Sequence, residues 1–165
     1  MVKTMRSFLL TKPLQTLLLL LGFMSTAWAA EPINTLEKSG LFGYKPNGIA
    51  IRGFDTVAYF TLGKATEGSE KFATQWNGAA WHFASQEHLD LFKAEPEKYA
   101  PQYGGYCAYG VAVDNLVKIE GDLWDIVDGK LYLNFNKSLQ EKWREDIAGY
   151  VKSADEKFDG LLKEK

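Results

Sequence analysis

The chain has 165 residues, 46% hydrophobic, 14% aromatic and 24% charged, with 19 basic and 21 acidic side chains and one cysteine. That composition fits a single globular domain and excludes a collagen-like or disordered chain. A lone cysteine excludes a disulfide scaffold and any zinc site built on several thiolates.

Lys3, Arg6 and Lys12 precede an apolar run from Leu14 to Met24, too short to span a bilayer. The run closes on Ala27-Trp28-Ala29, the small-x-small pattern of a secretory leader, which predicts cleavage after Ala29 and an exported chain, periplasmic or secreted. Removing residues 1–29 takes away three basic groups and no acidic ones, so the mature chain carries a net charge of −5. Nucleic acid is therefore not an expected partner, because affinity there comes from Lys and Arg neutralising phosphates. No second apolar run reaches membrane-spanning length.

Residues 30–47 hold two glycines and two prolines, with Gly48 next, show no sustained period and read as a lead-in segment. Ile49-Ala50-Ile51 starts an extended stretch, interrupted at Gly53-Phe54-Asp55-Thr56 and resumed by Val57-Ala58-Tyr59-Phe60. Asn77-Gly78 then joins Phe72–Trp76 to Ala79–Phe83, a two-residue hairpin turn needing positive φ. Its pairing puts Phe72, Trp76, Trp81 and Phe83 on one face and Gln75 and His82 on the other. Ser85 caps a short helix to about Ala94, with Leu89 and Phe92 inward and Pro96 limiting it. A second hairpin turns at Asp128-Gly129, gathering Trp124, Ile126, Leu131, Leu133 and Phe135 on one face, with Asp125, Tyr132 and Asn134 opposite. Ser138-x-x-Glu141 is a capping-box pattern. It opens a C-terminal helix whose apolar positions run from Leu139 through Trp143, Ile147, Val151 and Ala154 to Phe158, with Gly149 a point of bending. The class is α+β: a small antiparallel sheet of hairpins with a short helix and a C-terminal amphipathic helix.

The most unusual segment runs from Pro101 to Gly110, where Tyr103, Tyr106 and Tyr109 and three glycines surround Cys107, the single thiol. Free cysteine is most often a small buried hydrophobe, and reactivity would need a nearby cation to lower its pKa. His82 reads as a solvated strand residue. His88 falls in the first turn of the short helix, where the positive dipole end favours a neutral, ligand-competent ring. Cys107 with His88 could form a two-coordinate soft-metal site, since thiolate selects Cu(I) or zinc. Asp55 reads first as a turn-capping carboxylate. No Gly-x-Ser-x-Gly, Walker or His-Glu-x-x-His motif occurs.

The stretch from Trp81 to Tyr99, ending in Pro96-Glu97-Lys98-Tyr99, resembles the core of YHS domains, as does the Gly53–Phe60 opening. Tyr103–Gly110 and Val127–Asn134 are similar to a secreted bacterial subgroup, in which the position of Cys107 is sometimes selenocysteine. The resemblance covers about residues 48–150, leaving 151–165 as helix end and tail. It implies metal handling, since YHS domains occur in copper-transporting ATPases and are thought to bind metal through cysteines. Ala58, Ala84 and His88 stand at those cysteine positions, so the thiolate site itself does not carry over. The resulting expectation is a periplasmic metal-binding module, copper first, centred on Cys107 and His88, with Tyr103, Tyr106, Tyr109 and Asp55 around it. The alternatives are a non-catalytic module binding a periplasmic protein, and a thiol redox protein that uses Cys107 with a partner thiol.

Overall fold

The computed structural model describes residues 30–39 and 43–163; the expected leader, 1–29, lies outside the described residues. Within the lead-in segment, residues 30–39 and 43–47 are described and carry structure of their own. Ile33, Asn34 and Thr35 are buried, and β1 (Leu36–Ser39) pairs antiparallel with β2 (Gly43–Pro46). A 3₁₀ turn follows at Ala50–Gly53, in which Ile51 and Arg52 take φ of 53° and 55°. Such a backbone persists only where its surroundings fix it. Ile51 is fully buried in the core, and the Arg52 guanidinium is paired with Glu37 (3.3 Å) and Glu120.

Val57–Phe60 is helical, not the resumed strand its composition predicts. The buried Asp55 side chain accepts hydrogen bonds from the Val57 and Ala58 N–H groups and starts α1 (Thr56–Thr61). An N-cap that satisfies two free donors of the first turn outweighs a weak β preference in a six-residue segment.

The two predicted hairpins are present. β3 (Ser69–Trp76) pairs with β4 (Ala79–Phe83) across Asn77-Gly78, and β5 (Glu120–Val127) with β6 (Lys130–Asn134) across Asp128-Gly129. All four turn residues have positive φ, as a type I′ turn requires. Each hairpin carries an irregularity, between Ser69 and Ala73 and between Glu120 and Trp124, where the register slips. Among the described residues the strands form three separate two-stranded sheets, and six helices complete an α+β architecture.

Four further expectations are corrected. Tyr132 and Asn134, assigned to the face opposite the core, are buried, because α4 (Ala108–Ala112) and α5 (Lys137–Glu145) pack against β6. Ile126, assigned to the core face, is 37% exposed. The C-terminal helix is two helices, α5 and α6 (Ile147–Leu161). The break falls at Asp146, whose backbone is non-helical (φ −149°, ψ 67°) and whose side chain caps α6 at Gly149 N–H. The cap of α5 is Asn136, not Ser138: its side chain accepts from Leu139 N–H at 2.9 Å.

The predicted short helix, α2 (Gln86–Ala94), begins at the expected cap, with Ser85 Oγ accepting from His88 N–H at 3.1 Å. It buries Leu89 and Phe92, the latter against Trp81 and Phe83 at ring centroid distances of 4.9 Å, and α3 (Pro96–Tyr99) follows. Packing divides into two clusters. One joins α1, the first hairpin, α2 and Cys107; the other joins α4 and α6 through Tyr103, Tyr106, Tyr132 and Trp143.

Candidate functional site

Asp55 is the centre of the first polar constellation. Its carboxylate is fully buried and accepts four hydrogen bonds. Oδ1 takes the Val57 and Ala58 N–H groups (2.9 and 3.2 Å), and Oδ2 takes Ala84 N–H (2.8 Å) and His88 Nδ1 (2.6 Å). One side chain thereby ties the start of α1 to the β4–α2 junction. The other ring nitrogen of His88, Nε2, lies 3.2 Å from Thr61 Oγ1, which also sits 3.1 Å from the Val57 carbonyl. Thr61 has one hydroxyl proton for these two neighbours, so its rotor is coupled to the tautomer of His88. His88 is buried, only 7% exposed. Sequence reasoning had Asp55 as a turn cap; its second oxygen, bridging 33 residues to His88, had no sequence signal.

Cys107 forms a second, separate constellation. It is fully buried, caps α4 through Sγ accepting from Gly110 N–H (3.4 Å), and donates its S–H to Asn134 Oδ1 (3.5 Å). Burial pushes the thiol pKa up; the N–H groups of Gly110, Phe135 and Tyr109 near the sulfur pull the other way and do not prevail. Asn134 Oδ1 also accepts from Tyr109 N–H (3.4 Å), while its buried Nδ2 has no partner among the described residues. The hydrogen-bond partners of Cys107 (Asn134 and Gly110) and of His88 (Asp55, Thr61 and Ser85) have no residue in common.

The three tyrosines are structural posts between segments. Tyr103, itself at φ 56°, donates its hydroxyl to Asp155 Oδ1 (2.9 Å) on α6. Tyr106 donates to the Glu31 carbonyl (3.0 Å), and burial raises its pKa to about 12. Tyr109 stacks edge-on with Tyr150 at 5.1 Å. Beside them lies an open groove of about 700 Å³ between the β5–β6 turn and the first turns of α6. Val127, Tyr132, Ile147 and Val151 line it, with carboxylates from Asp128, Asp155 and Glu156 against one cation, Lys152. No site residue was placed here from sequence, because groove walls come from elements distant in the chain.

Residues 57–103 match the family model of the YHS domain. No curated protein and no solved structure matches the chain. The YHS segment holds α1, the first hairpin, α2 and α3, hence Thr61 and His88, but not Cys107. The positions at which the resemblance sets thiolates, Ala58, Ala84 and His88, all meet at Asp55: two through backbone N–H groups and one through its ring. That location therefore offers one imidazole nitrogen, Nε2, and no thiolate. Among the described residues no group of three His, Cys, Asp or Glu side chains is placed to hold a metal ion. The donor set does not fit a self-contained soft-metal centre.

Proposed function

We propose that this chain is an exported binding module built on a YHS-type core, which docks a basic, partly apolar segment of another exported protein in the groove between the β5–β6 turn and α6. The groove carries the reading: apolar walls with three carboxylates at the rim suit an aliphatic segment bearing Lys or Arg. The wider resemblance to the secreted subgroup and the leader-like residues 1–29 support export.

A redox role for Cys107 is disfavoured, since thiolate is the attacking species and burial holds the thiol protonated. Hydrolytic chemistry at Thr61 is also disfavoured. Asp55, His88 and Thr61 are within the reach of an orienter, base and nucleophile, but the adjoining Leu62 N–H is bonded to the Ala58 carbonyl (2.8 Å) and cannot serve a developing oxyanion.

One observation keeps a second reading, metal handling, in play. A carboxylate on one ring nitrogen is how proteins orient a metal-ligating histidine, and here the other, Nε2, meets the Thr61 hydroxyl. His88 Nε2 would then be one ligand of a centre completed by a partner.

A photo-reactive side chain at Lys152 is expected to give a discrete crosslinked partner in the native compartment, and the same group at exposed Leu62 none. Equal, diffuse crosslinking from both positions would refute the groove. Tight Cu(I) binding by the mature chain that is lost in His88→Ala but kept in Cys107→Ser would install the metal reading instead.

A further inference from the structure

The residues just after the expected cleavage point are held along their length. Ala30 N–H donates to the Leu162 carbonyl (3.1 Å), at the residue that follows α6. The Glu31 carbonyl accepts from Tyr106 (3.0 Å). Asn34 donates from its backbone to Gly104 O (2.8 Å) and from its amide to Gly105 O (2.9 Å), and accepts from Ile51 N–H (3.0 Å). Pro32 presses so closely on Gly104 that a Cβ there would lie 1.9 Å from the Pro32 oxygen. Ala30 is thus fixed against the end of α6, not adjacent to it by chance of a free terminus.

The C-terminal end of a helix exposes unpaired carbonyls and a partial negative charge, which a nearby cation stabilises. The last turn of α6 contains no basic residue. We propose that leader removal adds a cation at this end, where Lys163 is the next basic residue: the α-ammonium released at Ala30 seats on the Leu162 carbonyl and caps α6. Hydrolysis of the Ala29–Ala30 bond adds one water, leaving a carboxylate on the departing leader and an ammonium on Ala30. A peptide N–H is thereby exchanged for a charged donor at the same carbonyl, and the bond shortens and strengthens. The cut is then a maturation step for the fold as well as a release from the membrane. This inference rests on the export reading above.

The test compares the mature chain, residues 30–165 with a free terminus, with the same chain acetylated at Ala30. Acetylation keeps the N–H and removes the charge. The acetylated chain is expected to melt about 2–5 °C lower at neutral pH and low salt. The gap should narrow in roughly 1 M salt, as a screened charge effect must. Equal midpoints at low salt would overturn the cap. N-terminal sequencing of the exported chain separately reads the leader: a start at Ala30 is expected, and a start elsewhere would overturn cleavage after Ala29 without touching the comparison of midpoints.

Discussion

Replacing Asp55 by Asn removes one acceptor oxygen from the centre of this buried constellation while keeping its shape. The remaining oxygen can serve Val57 and Ala58 N–H, as Oδ1 does in the native chain. The new amide NH₂ then faces Ala84 N–H and His88 Nδ1, which both sit within 2.8 Å of the native Oδ2. His88 can adapt by turning Nδ1 into an acceptor, whereas Ala84 N–H cannot. Each hydrogen bond to a charged acceptor contributes about 1.5–3 kcal/mol, and a buried donor left unpaired costs about 1–3 kcal/mol. Residue Ala84 is itself exposed, so water offsets part of its loss. The expected destabilisation is about 2–4 kcal/mol, a large share of the roughly 5–15 kcal/mol that holds a domain of this size. Urea unfolding followed by tryptophan fluorescence reads it directly, with an unchanged slope and a lower midpoint. Thr61→Val is the control: it deletes the hydroxyl beside Nε2 at an exposed position and should cost less than about 1 kcal/mol. A loss under about 1 kcal/mol for Asp55→Asn, or equal losses for both variants, would refute a carboxylate-centred core.

Native Cys107 should resist a water-soluble disulfide reagent until the chain unfolds, because the thiol is fully buried and its pKa is raised; rapid stoichiometric labelling of the folded chain would contradict the enclosure. Alkali should destabilise the fold in a predictable direction. Tyr106 ionises near 10 when unfolded and at about 12 when folded, so the unfolded state binds fewer protons across that window and stability falls as pH rises through it. Tyr106→Phe should flatten that alkaline slope by up to one proton while costing about 1 kcal/mol at neutral pH for the lost Glu31 bond; an unchanged slope would refute it. Gly104→Ala should cost about 2–4 kcal/mol, since it joins positive φ (59°) to a backbone clash with Pro32. Gly129→Ala, at φ 74° with open space around it, should cost only about 1 kcal/mol, and equal losses in denaturant unfolding would show the Pro32 contact to be soft.

What was legible in the chain was local. Asn77-Gly78 and Asp128-Gly129 announce their turns because few other residues tolerate two successive positive φ values. Ser85 announces α2 because its hydroxyl reaches only three residues ahead. Illegible features depend on residues far apart or on competition between equals. Asn136 and Ser138 are both good caps, and nothing in their spacing shows which one leaves the helix. The apolar spacing from Leu139 to Phe158 passes unbroken through Asp146, although Leu139 packs on one core cluster and Ile147, Val151 and Phe158 on the other. Alternation along β6 reports one buried side, but helices cover the other side as well, so Tyr132 and Asn134 escape the rule. Residues 30–35 lack any period because their partners are the carbonyls of Gly104 and Gly105 and the hydroxyl of Tyr106, not a neighbouring turn.

The position of Asp55 bears on how a core of this kind holds together without the thiolates its resemblance implies. A metal bound by cysteines from the α1 opening and the β4–α2 turn would cross-link those two segments. Here Ala58 and Ala84 supply only backbone N–H groups, and both point at one carboxylate, with the His88 ring completing the set. The same two segments are therefore joined by four hydrogen bonds to a buried anion. Such a link stays closed only while every donor is satisfied, because an uncompensated buried carboxylate is costly. Cys107 carries no part of that link: its sulfur is engaged by Gly110 and Asn134 and serves α4. The chain thus keeps one thiol for packing and one histidine for the core.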